Sequence, residues 1–489
     1  MTKAYSNSLP GTIGMRHYSA MIRKTLNSFL SDRPSVKERL ALGKAIRQTT
    51  SRSSLGEFQV QPHRLNAVSI LNRQAETRNA ELVPIRHARM VQNPFAFFRG
   101  GAAIMAQDLG PLPSASIHVQ LCGDMHVSNF GFFSTTERRL VFGINDFDET
   151  LRGNFDWDLK RLAASAMIAA ESLGQDATYG EQVIREMSRA YRDHMRQYAH
   201  MPFVELARSF IDTDSLKAVE DTASVAARAF IRKQISKAKL NTNIGVIGKL
   251  TTVINNQRCF IDNPPLLTHH VKSYKGTVVV DVLDDALKTY DRSLPSDRRH
   301  LLSRYRLVDY ARKVVGVGSV GVGCWVMYLE GLNESDPLFL QWKVAQRSVL
   351  APYFADSQFR TQGERVVYGQ RLIQGAPDLF LGYGKTRLND FYIRQLRDMK
   401  GGIAIGTGKG EIGVETFPDY ARLFGWALAN AHARSGDPAV LAGYCGDGEQ
   451  LDDALVRFAS AYNTQNQSDY DTFLRAIRSG TLRCATQDF

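Results

Sequence analysis

Two acids and one carboxamide, spaced for work on a hydroxyl and a phosphate, lie between residues 121 and 148. Leu121-Cys122-Gly123-Asp124-Met125-His126-Val127-Ser128-Asn129 places a carboxylate and then, five residues on, an amide. Ile144-Asn145-Asp146-Phe147-Asp148 adds a second carboxylate at the end of an apolar run. Phosphoryl transfer uses such a set: an acid to take the hydroxyl proton, and an amide and a carboxylate to hold Mg²⁺. Asp124 is therefore the candidate base. Asn129 and Asp146 are the candidate metal ligands, one neutral oxygen and one charged. Magnesium takes oxygen ligands and leaves part of its coordination to substrate phosphates. Gly-Asp and Asn-Asp are also ordinary turn dipeptides. Their conjunction, each after a β-run, carries the reading.

Elements must deliver these groups. Ile117 to Leu121 alternates and contains Ile and Val, so a strand leads to Asp124. Arg139 to Ile144 is a second strand, leading to Asp146. Asp156 to Leu173 reads as a strongly apolar helix, with Asp158 near its N-terminus as a cap for its own backbone N–H groups. The spacing Asp-x-x-x-x-Asn is that of a kinase catalytic loop, and Asp-Phe-Asp stands where Asp-Phe-Gly would.

The other parts of such a site are missing from residues 1–115 and come later. Gly316-x-Gly318-Ser319-x-Gly321 lies between the β-runs Lys313 to Val317 and Gly323 to Leu329. There it could cover nucleotide phosphates with backbone N–H groups. Lys343 lies on the strand Leu338 to Val344 and could pair with the α/β-phosphates. Glu364, at the start of the helix Gly363 to Gln374, could hold that lysine in an ion pair. Phe391 to Leu396 takes the place of a hinge strand whose backbone binds the adenine edge. A hairpin with a glycine turn, and a solvated strand lysine, explain the same residues more cheaply. Their succession in kinase order favours the nucleotide.

These motifs carry a resemblance. Gly-Asp-x-His-x-x-Asn, then Asp-Phe-Asp, then Asp-Leu-x-x-Leu resembles the aminoglycoside and choline phosphotransferase branch of the protein-kinase-like fold. In that branch a His commonly precedes the Gly-Asp; here Cys122 stands there. A closer likeness is to the DUF2252 family, grouped with kinase-like folds. It rests on Phe-Phe-Arg-Gly, Leu-Cys-Gly-Asp-Met-His-x-x-Asn-Phe-Gly, Asn-Asp-Phe-Asp-Glu-Thr, Trp-Asp-Leu-Lys-Arg-Leu and later strings such as Ala431-His432-Ala433-Arg434-Ser435-Gly436. The resemblance implies a fold class and no particular substrate.

Other residues read more blandly. Arg99 follows three aromatics and precedes two glycines; a structural arginine bonding loop carbonyls is the first reading, a phosphate or substrate anion the second. His126 organises its loop. Phe147 is core, Asp148 supports the metal from outside its ligand set, and Glu149 is solvated. His432 and Arg434 end a helix and suit its dipole.

The totals bound the rest. At 489 residues two or three domains or lobes are expected. The divisions fall at 1–60 (partly disordered and helical), 61–174 (catalytic loop and metal), 175–304 (mainly helical), 305–400 (β-rich nucleotide part) and 401–489 (helical). No apolar run reaches membrane-spanning length. The N-terminus lacks the apolar core of a secretory signal and reads as a frayed basic tail. Five scattered cysteines without a Cys-x-x-Cys pair argue against zinc and disulfides and suit the cytoplasm. A net charge of +12 favours anionic partners, yet no nucleic-acid signature accompanies it. The expectation is an α+β, protein-kinase-like two-lobed fold with permuted order, binding ATP and Mg²⁺ and phosphorylating a hydroxyl, by analogy that of a small molecule. The alternatives are a nucleotide-binding regulator (a pseudokinase) and an AMP-transferring enzyme on the same fold.

Overall fold

Alternating and apolar runs become strands and the longer periodic segments become helices, giving a mixed α+β chain with several small sheets. The computed structural model describes residues 28–486 except 221–222, 270–272, 275–276, 319, 355–357 and 409. The frayed basic tail expected at the N-terminus therefore falls largely outside the described residues, as does Ser319.

The largest sheet has six strands, every neighbouring pair antiparallel. Their order is Gly382–Lys385, Asp390–Gln395, Pro337–Val344, Cys324–Glu330, Arg306–Lys313, Leu267–Thr268. A period of two sorts their side chains. Leu338, Leu340 and Trp342 join Trp325, Met327, Phe391 and Ile393 in a core completed by Val282, Leu283, Ala286 and Tyr290 of the helix Val279–Ser293. One step along each strand, Gln341, Lys343 and Arg394 take the opposite face, which is how Lys343 escapes the hydrophobic layer. This sheet region reaches back past residue 305 to Leu267 and takes in the helix Val279–Ser293.

Two local expectations are corrected. The strand expected at Lys313 to Val317 is Arg306–Lys313, and residues 314–317 lie outside it. The mainly helical stretch 175–304 also contains a hairpin, Thr251–Ile254 with Gln257–Phe260. It turns at Asn255 and Asn256, whose φ values of 51° and 58° are those of the tight turns that match strand twist.

Much of the remaining chain is helical. The helix Asp156–Ser172 is buried from Asp156 to Ala170. Its small residues, Ala163, Ala164, Ala166, Ala169 and Ala170, let the helices Ala177–Ala199 and Gln450–Arg478 pack closely on it. The paired strands His118–Leu121 and Leu151–Asn154, and a four-stranded sheet ordered Gly401–Gly402, Phe130–Ser134, Leu140–Ile144, Ile211–Asp212, meet the helix Phe417–Ser435 through His118–Leu121 and Leu140–Ile144. Among the described residues no helix is long and apolar enough to cross a membrane.

Candidate functional site

Strand register brings the two key loops together. Phe130 pairs with Ile144, so Asn129, just before one strand, meets Asn145 and Asp146, just after the other. The Asn145 N–H donates to the Asn129 carbonyl at 3.0 Å. Asn129 Nδ2 donates to the Asp124 carbonyl (3.2 Å), the Asp146 carbonyl (3.3 Å) and Cys122 Sγ (3.3 Å). With its donors turned inward, Oδ1 is the atom it has left to offer, and it is an acceptor. Cys122 Sγ donates to the Asp146 carbonyl at 3.2 Å and so fastens the two loops to each other. Gly123 has φ +84°, and a Cβ there would run into the Glu149 carbonyl. Only glycine makes that turn into Asp124 without strain.

Asp124 is held from behind. Arg161, on the helix Asp156–Ser172 and 3 % exposed, donates through Nε (2.8 Å) and Nη2 (2.6 Å) to Asp124 Oδ1. The same guanidinium lies 4.3 Å from the Phe98 ring centroid and donates to the Phe98 carbonyl. Oδ2 is left toward the cavity, 4.0 Å from His126 Nε2. Asp158 does not cap its own helix as expected. Its carboxylate reaches back to accept from the N–H groups of Cys122 (2.7 Å) and Gly123 (3.0 Å). A buried carboxylate finds those strongly polar partners because the strand end beside it has unpaired donors. His432, fully buried and 3.4 Å from Asp158 Oδ2, supports that carboxylate and contacts the Tyr191 hydroxyl at 2.9 Å.

These loops and the large sheet enclose a cavity of about 440 Å³. Asp124, Asn129, Asp146, Lys343, Gly316 and Gly318 all line it. Gly321 belongs to the same turn; its φ is +83°, and its carbonyl accepts from Asn79 N–H at 2.8 Å. Arg89 donates to the Gly316 carbonyl and Arg78 to that of Val320, each at 2.6 Å, so an earlier segment holds the glycine turn in place.

Lys343 is 3 % exposed. Its ion pair is not with Glu364 but with Asp148, and Asp146 Oδ1 lies 3.9 Å away. Glu364 is occupied elsewhere: its N–H donates to Thr361 Oγ1 (3.1 Å) and its carboxylate accepts from Arg360 N–H (2.8 Å), closing the start of its helix. Asp148, which also accepts from the Tyr392 hydroxyl at 2.7 Å, reaches the lysine from the loop two residues beyond Asp146. Arg365, the neighbour of Glu364, instead ties that loop to the helix through the carbonyls of Asp148 and Thr150. The hinge expectation shifts as well. Asp390–Gln395 is bonded on both sides within its sheet, and the Leu396 N–H is spent on the Phe339 carbonyl. The free lining past that strand comes from Arg397, Lys400 and Gly402.

Charge in the cavity is unevenly matched. Burial works against the charge on Lys343, but Asp146 and Asp148 prevail and hold it well above the ordinary lysine value. Burial pushes Asp146 upward, yet Lys343, Arg394 and Lys400 outweigh it and leave the carboxyl below its usual value. Its side chain, deep in the fold, is still 49 % exposed because it opens into the cavity. Burial and Arg394 push Lys400 down to about 7. His126 is pushed down to about 4 by burial and is neutral at pH 7. Glu149, expected to be solvated, lines the cavity and accepts from Val349 N–H at 2.7 Å.

Burial raises the Glu149 carboxyl from 4.5 to about 7. A carboxyl raised in the folded state contributes stability that is complete below its unfolded value and is lost as pH rises through its folded value. The variant Glu149→Gln should therefore gain stability relative to the parent as pH rises from about 4.5 to 7. Denaturant unfolding at a series of pH values measures the difference, and a gap that stays constant would sink the assignment.

Residues 78–476 match the family model DUF2252, described as an uncharacterized protein conserved in bacteria. The chain belongs to this family. No curated protein and no solved structure matches it. The DUF2252 match spans both sides of the cavity, from Arg78 to the sheet and beyond it to His432. Arg161 of the Trp-Asp-Leu-Lys-Arg-Leu string was visible as part of the resemblance, but its hold on Asp124 was not. Arg78 and Arg86 gave no signal in the sequence, since isolated basic residues read as solvated.

Proposed function

We propose that this DUF2252 chain is a phosphotransferase of protein-kinase-like, permuted two-lobed fold, moving the γ-phosphoryl group of ATP with Mg²⁺ to a hydroxyl. The observation that carries the reading is that Asp124, Asn129, Asp146, Lys343 and the turn at Gly316–Gly318 line one cavity although they come from distant parts of the chain. Two further features support it. The hairpin around the glycine turn, the lysine strand, the helix Gln362–Gln374 and the strands Gly382–Lys385 and Asp390–Gln395 succeed one another in kinase order. They follow the catalytic loop in sequence, as a permutation requires.

The donor set fits a magnesium–nucleotide better than a protein-only metal centre. Asn129 Oδ1 and the Asp146 carboxylate are hard oxygen donors at the same sheet end. Among the described residues no group of three or more His, Cys, Asp or Glu is placed to hold a metal. Magnesium bound by one carboxylate and one amide completes its coordination with phosphates and water. Bound there, it would neutralise charge developing on the phosphoryl oxygens.

The chain's own residues do the rest. Lys343, Arg394 and Arg397 set a positive field along the sheet side, where a polyphosphate gains most. Arg161 fixes one oxygen of Asp124, so the other faces the acceptor hydroxyl and takes its proton as the new P–O bond forms and the bond from the γ-phosphorus to the bridging oxygen breaks, releasing ADP. The acceptor is a small molecule by analogy with the phosphotransferases that the loop resembles.

Asp146→Asn tests the metal side of this scheme. It removes one charge from the ion's ligand set and should weaken Mg²⁺-dependent nucleotide binding roughly tenfold or more. Calorimetry with ATP, with and without Mg²⁺, reads it. An affinity that is the same for both proteins in Mg²⁺ would remove Asp146 from the ligand set.

A further inference from the structure

Three arginines that line the cavity lack the partners that buried arginines normally have. Arg86 is 1 % exposed; its Nη2 donates to Gln74 Oε1 (2.9 Å) and the Gly100 carbonyl (2.8 Å), while Nε and Nη1 are buried with no hydrogen-bond partner. Arg78 spends Nη1 on the Val320 carbonyl and leaves Nε buried and unpartnered. Arg99 bonds none of the described residues, and its Nε is buried. The reading of Arg99 as a loop-carbonyl arginine is thereby corrected. No carboxylate forms an ion pair with any of the three among the described residues, and Arg78 and Arg86 repel each other.

Taking guanidinium groups out of water without a counter-charge is costly. The expense is recovered when an anion enters and accepts their free N–H groups. Lys343 and the glycine turn already serve the nucleotide phosphates in the proposed scheme. Arg99 interacts instead with Asp124, the end of the cavity where the acceptor hydroxyl must lie. Three positive charges match a dianionic phosphate better than a single carboxylate.

We propose that Arg99, with Arg86 and Arg78, binds a phosphate group carried by the acceptor, so that the substrate is a phosphorylated hydroxy compound. The role given to the acceptor rests on the phosphotransferase reading; the anion site itself does not.

The test is calorimetry on the full chain with inorganic phosphate as the probe, after saturation with Mg²⁺ and the β,γ-imido analogue of ATP. Phosphate should still bind, because the γ-position is already filled. Arg99→Gln should weaken phosphate binding roughly tenfold to a hundredfold, the scale of lost charge-assisted hydrogen bonds, and leave affinity for the analogue unchanged. Arg99→Lys keeps the charge without the fork and should fall between the two. Unfolding midpoints of both variants confirm that they fold. Phosphate that binds only when the analogue is absent would assign the arginines to the nucleotide and overturn the proposal. So would phosphate binding that Arg99→Gln leaves intact. An analogue that does not bind at all, beside phosphate that does, would instead overturn the phosphotransferase reading and the acceptor role with it.

Discussion

Asp124→Asn should lower the rate of phosphoryl transfer by roughly 10²–10⁴ while leaving nucleotide affinity nearly unchanged. The substitution keeps the shape of the side chain and its oxygen toward Arg161, but removes the group that accepts the hydroxyl proton. Nucleotide affinity is spared because Asp124 contributes nothing to the sheet side, where Lys343 and the glycine turn lie. Arg161 is buried and would face an amide in place of a carboxylate. Some stability is therefore lost, and the assay belongs well below the variant's unfolding midpoint. Single-turnover transfer from labelled ATP, in parallel with calorimetric binding, separates the two quantities. Turnover equal to that of the parent would remove Asp124 as the base. Binding without transfer or hydrolysis in the parent itself would favour a regulator. Mass spectrometry of modified product distinguishes phosphate from AMP by the mass added.

The legible part of this site was the part written in short strings. Asp124 and Asp146 each follow a strand, strands with period two announce themselves locally, and Asn129 comes in the same short string as Asp124. Lys343 was legible for the same reason, being one step out of phase with Leu340 and Trp342. What sequence reasoning lost was partnership across the chain. Glu364 stands three residues after Thr361, the spacing of an N-cap and its reciprocal acid, and that local pattern was the better guide to it. The lysine's true partner, Asp148, was in view but was assigned to the metal. Asp158 was read against its own helix, when the unpaired N–H groups it serves lie at the end of the strand His118–Leu121. The hairpin Thr251–Ile254 with Gln257–Phe260 went unread because its strands carry Gln, Arg and Thr and do not alternate clearly. Arg78 and Arg86 illustrate the general limit. A basic residue is solvated by default in a sequence, and only the fold shows that water has been excluded around it.

Lys343→Ala should weaken binding of Mg–ATP roughly tenfold to a hundredfold, the loss of one or two charge-assisted contacts to phosphate oxygens. It should also destabilise the protein, because Asp146 and Asp148 lose the charge they converge on. Breaking a buried pair from one side costs about 3–5 kcal/mol, and the low end applies here since both carboxylates open partly into the cavity. The two effects separate by experiment. If Lys343 serves only to neutralise the two acids, the variant unfolds earlier yet binds nucleotide as the parent does, and the permuted nucleotide site loses its central residue. Asp148→Asn supplies the complementary arm. It leaves the lysine in place but removes its anchor, so affinity should fall by less than in Lys343→Ala. A larger fall in Asp148→Asn would make the carboxylate, and not the lysine, the group that engages the nucleotide.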